Sequence, residues 1–435
     1  MPVTRRRYPP CSEHRTSRWQ RATLTFPAVT ALTVTALACQ PSDARELELA
    51  SVETLPSPAG DRSGEPNLAT GPDGRIYLSW LEAAGDSAHT LRFAMLDDSG
   101  WSEPRTIATG SNWFVNWADF PSIVALPDGR LAAHWLERNA EGTYTYDVRI
   151  TQSADGGATW SEPVTPHRDG TSSEHGFVSF YAAGGDSLGV VWLDGRKYAG
   201  KGTKEMQLAQ TTIAPDGSLG EERILDTRIC DCCQTSAARI PDGLAVVYRD
   251  RSADEIRDIS IIRNVNGHWT EPALVHADGW HIAACPVNGP AIAARGNSVV
   301  VAWFTGAGDT ARVRVAFSDD AGATFGAPIR VDEGTPAGRV DVALGGRVDD
   351  PATPEAGAIV TWVERTGGEN AEVLARRVMS NGSLGDALTV TASSAARASG
   401  FPQMVRTDDA VVFAWTAPTE PARVRTARVV LRDQP

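Results

Sequence analysis

Seven short apolar runs, each closed by an aromatic residue, recur along the chain: LSW ending at Trp80, AHW at Trp135, VVW at Trp192, VVY at Tyr248, VAW at Trp303, VTW at Trp362 and FAW at Trp415. Successive aromatics stand 55, 57, 56, 55, 59 and 53 residues apart. A near-constant period of this length marks a repeat architecture, because one small unit cannot bury its own apolar face and must stack on its neighbours. Within each copy a strand such as PNLATGPDG or FPSIVALPDG runs through a Gly or Asp turn into the strand that ends in the aromatic. A polar loop and a third strand such as DVRITQS follow, and a fourth strand is often announced by W-x-E-P, as at Trp101–Pro104, Trp160–Pro163 and Trp269–Pro272. Short strands bounded by turn signals make four-stranded antiparallel blades. The expected fold is all-β, a seven-bladed β-propeller, with six blades as the alternative if one copy is degenerate. The sixth copy, with its long turn DDPATPEAGA, departs most from the pattern.

The last copy stops after its third strand, RVRTARVVL, while ELELASVETL at positions 46–55 has no unit of its own. Pairing the two would close the ring and remove two exposed sheet edges, so residues 40–435 are expected to form one propeller closed by this N-terminal strand. Ahead of it lie a basic segment, the apolar run ATLTFPAVTALTVTALAC and a small-residue cut site, the order of an export signal over residues 1–39. That run is too short and too rich in Thr for a membrane span. Ala36-Leu37-Ala38-Cys39 resembles the lipobox of bacterial lipoproteins, which implies lipidation of Cys39, although that motif favours Leu where Ala36 stands. The alternative is an ordinary signal peptide cut nearby. Either way the mature chain is expected outside the cytosol, in the periplasm or beyond, touching a membrane only through a lipid anchor and acting as a monomer. A net charge of −13 excludes a nucleic-acid partner, which needs a basic face.

Two turns between third and fourth strands carry a sharper pattern, SADGGATW from Ser153 to Trp160 and SDDAGATF from Ser318 to Phe325. Both fit S-x-D-x-G-x-T-W/F and resemble the Asp-box (BNR) repeat of sialidase-like propellers. The Asp is expected to cap turn amides, the Gly to take a conformation other residues avoid, and the aromatic to pack between blades. In that family these turns lie away from the active site, so the resemblance implies that chemistry sits on the opposite face. The loops of that face include SNWFVNWADF, HRDGTSSEHGF, LDGRKYAGKGTKE, RICDCC, YRDRSADEIRD and HADGWHIAACPVNGP, rich in Arg, Asp, Glu, His and Trp.

The resemblance further implies a glycan or glycoconjugate as partner and an exo-glycosidase chemistry built on an arginine triad, an acid/base Asp and a Tyr activated by Glu. The Arg-Ile-Pro motif that such a site places in the first strand is absent, with Gly64-Glu65-Pro66 in its place. By loop position Arg196, Arg249, Arg251, Arg257, Glu174 and His175 are candidates for ligand binding, and Asp250, Asp254 and Glu255 for catalysis. The bland reading of YRDRSADEIRD is a salt-bridged loop. No tyrosine stands out: Tyr248 fills the core aromatic position, and Tyr144, Tyr146 and Tyr198 read as ordinary loop residues.

Cysteine gives the second candidate site. Apart from Cys11 and Cys39 in the signal, the chain holds Cys230, Cys232, Cys233 and Cys285. Aligning copies four and five matches Thr235 with Pro290, and five residues before each stand Cys230 and Cys285. The four thiols are therefore expected to converge where the chain enters the innermost strands of adjacent blades. Three readings stay open: two disulfides between neighbouring blades, a soft-metal site of several thiolates with His281, or a reducible Cys232–Cys233 disulfide. Adjacent Cys232 and Cys233 are not expected to reach one ion together. The alternative to glycan chemistry is thus a non-catalytic propeller binding a protein, a glycan or a metal ion at this cysteine-bearing mouth.

Overall fold

The computed structural model describes residues 47–200, 203–345 and 357–433. The segment expected to be an export signal, Cys39 and most of the long turn of the sixth copy lie outside the described residues. The described chain forms seven antiparallel sheets, joined by loops that contain three short 3-10 turns and, among the described residues, no α-helix. The expected seven-bladed propeller is what the chain folds into. Blade 3 shows the plan: His175–Ala182, Leu188–Asp194, Met206–Ile213 and Arg223–Ile229 lie side by side in that order.

The repeated aromatic lies within the second strand of each blade, and Trp80, Trp192, Trp303 and Trp362 are among the largest wholly buried side chains. Every residue of Leu188–Asp194 is buried. These strands read as continuous apolar runs because both of their faces are covered, one by each adjoining blade. The core is accordingly a set of layers between blades: Val300, Val313 and Val315 of blade 5 pack with Val342, Val360 and Trp362 of blade 6.

Blade 6 is complete, with Pro336–Leu344, Gly357–Gly367, Asn370–Met379 and Leu388–Ser394, which removes the six-bladed alternative. Blade 2 is the short one. Ser122–Ala125, Leu131–Arg138 and Tyr146–Ser153 form three strands, and the segment after Trp160 contributes only a bridge between Ile150 and Val164. Pro163 and Pro166 flank Val164 and supply no N–H to a ladder. In blade 7 the outer strand is Leu47–Leu55, paired antiparallel with Arg423–Asp433, so distant parts of the chain share one sheet.

The two S-x-D-x-G-x-T turns have one geometry. Asp155 Oδ1 accepts from the amides of Ala158 and Thr159 at 3.0 and 2.9 Å, and Thr159 Oγ1 donates to Oδ2 at 2.6 Å. Asp320 and Thr324 repeat the Thr contacts at 2.8 and 2.7 Å. Gly157 has φ +86°, and a Cβ there would fall 2.3 Å from Phe93 of blade 1. Trp160 meets the same Phe93 edge-on at 5.9 Å. The turn thus locks one blade against the next.

The first strands of all seven blades surround an axial cavity of about 630 Å³. Polar staples cross between blades around it. The amide of Phe177 donates to Asp119 Oδ1 at 2.7 Å, that of Gly289 to Gln234 Oε1 at 3.0 Å, that of Arg339 to Asn288 Oδ1 at 2.7 Å and that of Met404 to Asp341 Oδ2 at 2.8 Å. The ring of loops above these staples is the face to which the candidate residues belong.

Candidate functional site

At the blade 2 to blade 3 junction three residues from separate segments meet. Asp119 ends the loop before the first strand of blade 2, Tyr146 opens its third strand, and Glu174 precedes the first strand of blade 3. The Tyr146 hydroxyl lies 2.7 Å from Glu174 Oε1 and 3.0 Å from Asp119 Oδ2. A phenol has one proton and cannot donate it fully to both acceptors. One proton on the carboxyl pair resolves this: on Glu174, the carboxyl raised further, it is donated to the phenol oxygen while Tyr146 donates to Asp119, whose Oδ1 accepts from Phe177 N–H. Burial raises both carboxyls, Asp119 to about 7 and Glu174 to about 8. Burial, with the charges of Asp119 and Glu174, also pushes the Tyr146 hydroxyl well above its ordinary value. Asp119 and Tyr146 are sealed in, and Tyr146 stacks on Phe114 at 4.1 Å; Glu174 alone keeps partial access to solvent. Glycine is required at 176, where a Cβ would lie 2.0 Å from Asp119 Oδ2.

Behind this set lies a buried ionic network. His175 is wholly buried, its Nε2 2.9 Å from Asp169 Oδ2, and its ring lies flat on His167 with centroids 3.7 Å apart. Burial works against the charge on His175, but the Asp169 hydrogen bond and the charges of Asp194, Asp169 and Asp147 raise its pKa. Burial and the neighbouring His175 lower His167 to about 3. Asp147, His167 and His175 bring possible ligand atoms within 4.8 Å of one another. Two parallel rings cannot both hold a single ion in their planes, so as folded this is a stacked pair in which His175 is the ring that holds its proton. Arg196 is held by Asp194 at 2.7 and 2.6 Å and by Glu222 at 2.6 Å.

The other candidate arginines are engaged inside the protein as well. Arg249 is buried and donates to the carbonyls of Asn288, Arg257 and Phe304. Arg251 pairs with Glu255 at 2.8 Å and Asp231 at 3.2 Å, and Arg257 pairs with Glu255 at 2.9 Å. Hydrogen bonds from Arg251 and Arg257 lower the Glu255 carboxyl to about 2, so it stays ionised. Asp254 is exposed, and Asp250 is raised to about 6 by burial. The loop YRDRSADEIRD is in large part the ion-paired loop that a run of mixed charge suggests.

The thiols gather beside these arginines. Cys230 and Cys233 are buried, Cys232 is half-buried and Cys285 is exposed. The sulfurs of Cys230, Cys232 and Cys233 all lie within 4.8 Å of one another, with Cys230 Sγ 3.3 Å from Cys233 Sγ. Adjacent Cys232 and Cys233 therefore do converge, against the expectation from their spacing. The reason is local: residues 230–235 form a turn and irregular chain before Ser236–Ile240, so the alternation of a strand does not separate them. Cys285 hydrogen-bonds Cys232. Arg257 Nη1 lies 3.3 Å from Cys230 Sγ, and the Asn288 amide donates to Cys233 Sγ at 3.4 Å. Burial opposes ionisation of Cys230, but hydrogen bonds from Cys232 and Cys233 and the guanidiniums of Arg249 and Arg257 hold it well below the ordinary thiol value. His281 is exposed, joined to Ile256 through a backbone bridge, and is not among the gathered ligand atoms.

No protein-family profile matches the chain, and no curated protein matches its sequence. Among solved structures it is similar to a Dyadobacter fermentans protein of unknown function at 12% identity, covering 89% of this chain and 100% of that one with a TM-score of 0.49. It is similar to the NanB sialidase of Streptococcus pneumoniae at 9% identity, covering 89% and 97% with a TM-score of 0.45. Against the endosialidase of phage phi92 the values are 10% identity, 88% and 69% coverage and a TM-score of 0.47.

Proposed function

We propose that the loop-rich face binds a glycan and that Glu174 serves as proton donor to a glycosidic oxygen, with Tyr146 and Asp119 positioning it. The observation that carries this reading is the Tyr146 hydroxyl set 2.7 Å from Glu174 and 3.0 Å from Asp119. Glycoside cleavage needs a carboxyl that keeps its proton near neutral pH and can reach the leaving oxygen. Glu174, raised to about 8 and partly exposed, fits that need.

The substrate class follows from the arginines. Arg196, Arg249, Arg251 and Arg257 each hold internal partners, so binding an acidic sugar through them would mean breaking those contacts. A neutral sugar unit next to the cleaved bond fits better. The export signal supports action outside the cytosol, with Cys39 as lipid anchor; recovery in the membrane fraction, lost in Cys39→Ser, tests that part.

The decisive experiment is a panel of fluorogenic glycosides, neutral and acidic, given to the full chain and to Glu174→Gln. Release from a neutral glycoside that falls by about 100-fold or more in the variant supports the assignment. No release from any member by the wild type overturns the catalytic reading, and release only from sialosides overturns the neutral-sugar reading.

A further inference from the structure

We propose that Cys230, Cys232 and Cys233 form a three-thiolate site for a soft monovalent cation of the Cu(I) class, with the exposed Cys285 thiol at its rim beside Cys232. This goes beyond the glycan reading and does not depend on it. Three features of the pocket carry it.

The first is the shape of the sulfur group. A metal–sulfur bond of about 2.3 Å in a flat three-coordinate site sets the sulfurs about 4 Å apart. Here the three sulfurs lie within 4.8 Å of one another, with Cys230 Sγ 3.3 Å from Cys233 Sγ, so small side-chain rotations suffice to close the triangle. An extended strand would send neighbours Cys232 and Cys233 to opposite faces, whereas the irregular turn here brings both sulfurs to one side.

The second is buried positive charge. Arg249 is 2% exposed and all its hydrogen bonds go to backbone carbonyls, which leave its charge without a counter-ion. A buried cation of that kind needs an anion beside it. Arg257 points one arm at Cys230 and the other at Glu255, and Glu255 is in turn answered by Arg251. Arg251 also answers Asp231, so in this group Arg249 is the guanidinium with no carboxylate partner, and a thiolate cluster supplies the negative charge it lacks.

The third is ligand type and number. A closed zinc site takes four ligands in a tetrahedron. Among the described residues three sulfurs gather, Cys285 hydrogen-bonds Cys232 but lies outside that group, and so does His281. Thiolates in low coordination number select Cu(I) among the common soft ions. The Asn288 amide at 3.4 Å from Cys233 Sγ is the outer hydrogen bond that steadies a thiolate ligand. Binding displaces the protons the thiols still carry and involves no change of oxidation state when copper is supplied as Cu(I).

The test uses the full chain, reduced and then freed of reductant without oxygen, titrated with Cu(I) acetonitrile complex against the coloured chelator bicinchoninate. The expected result is one Cu(I) held per chain, with a thiolate-to-copper absorption in the ultraviolet. Half-buried Cys232→Ser should weaken retention by roughly 100-fold while its circular dichroism stays that of the parent, and Cys285→Ser should keep the ion. A parallel titration with Zn(II) should show weaker retention. The proposal is overturned if the reduced chain surrenders all Cu(I) to the chelator, if Zn(II) is held in preference, or if Cys232→Ser binds as tightly as the parent. It is equally overturned if the chain isolated without reductant shows no titratable thiol and binds no ion once reduced, which would assign the sulfurs to Cys230–Cys233 and Cys232–Cys285 disulfides.

Discussion

Replacing Glu174 by glutamine should flatten part of the pH dependence of stability without unfolding the propeller. The new side-chain amide can donate a proton to the Tyr146 oxygen as the protonated acid does, so the hydrogen bonds at 2.7 and 3.0 Å keep their pattern. The folded-state pKa of Glu174 is raised from 4.5 to about 8, chiefly by burial. A raised carboxyl binds its proton more tightly when folded, so its contribution is fully present below pH 4.5 and is lost as pH rises through about 8. Within that window one extra proton on the folded chain lowers unfolding free energy by about 1.4 kcal/mol for each pH unit. Asp119, Glu65 and Asp341, all raised to about 7 by burial, titrate over the same range, so the comparison is between slopes. Urea unfolding of both proteins at about pH 5, 6 and 7, inside that window, gives the two slopes. The variant should lose about 1 kcal/mol per pH unit of the parent's decline. Equal slopes would show that Glu174 is ionised throughout, and the proton-donor assignment would fall with it.

Gly157→Ala should destabilise by about 2–4 kcal/mol, because the residue sits at φ +86° and the new methyl falls 2.3 Å from Phe93; Gly74→Ala, at φ +78° with open space around it, should cost only about 1 kcal/mol. Both are read from denaturant midpoints. Arg249→Met strands the carbonyls of Asn288, Arg257 and Phe304 and should cost about 3–5 kcal/mol, measured in the same way. A chain lacking residues 47–55 exposes the ladder of Arg423–Asp433, and light scattering should show concentration-dependent association that the full chain lacks.

The fold was legible because its strongest signal is periodic and its cause is simple. A strand covered on both faces, like Leu188–Asp194, has to be apolar at nearly every position, and that requirement recurs once per blade. The Asp-box turns were legible because their hydrogen bonds stay within four residues, as from Asp155 to Thr159. The missing fourth strand of blade 2 was obscured by a good W-x-E-P signal, although Pro163 and Pro166 beside Val164 already argued against a ladder.

The polar face has no period, and this is where sequence reading and structure part. Tyr146 looked ordinary because Asp119 and Glu174 stand 27 and 28 residues away, on other segments. One cue was present: its place at the start of a strand whose neighbours alternate with buried Val148 and Ile150 puts the ring inward. The arginines were found by type and position, yet type does not say whether a guanidinium faces a ligand or a carbonyl. Arg249 differs from Arg251 only in having backbone oxygens where the latter has carboxylates. The cysteines form the intermediate case. Repeat register carries Cys230 and Cys285 to matching places on adjoining blades, because equal positions in a propeller are spatial neighbours. Register does not dictate that Cys232 and Cys233 turn to one side, since that depends on an irregular segment packed beside Asn288 and Arg257. A repeat therefore tells where a site's parts will meet, while their chemistry is decided by cross-blade contacts that each junction makes only once.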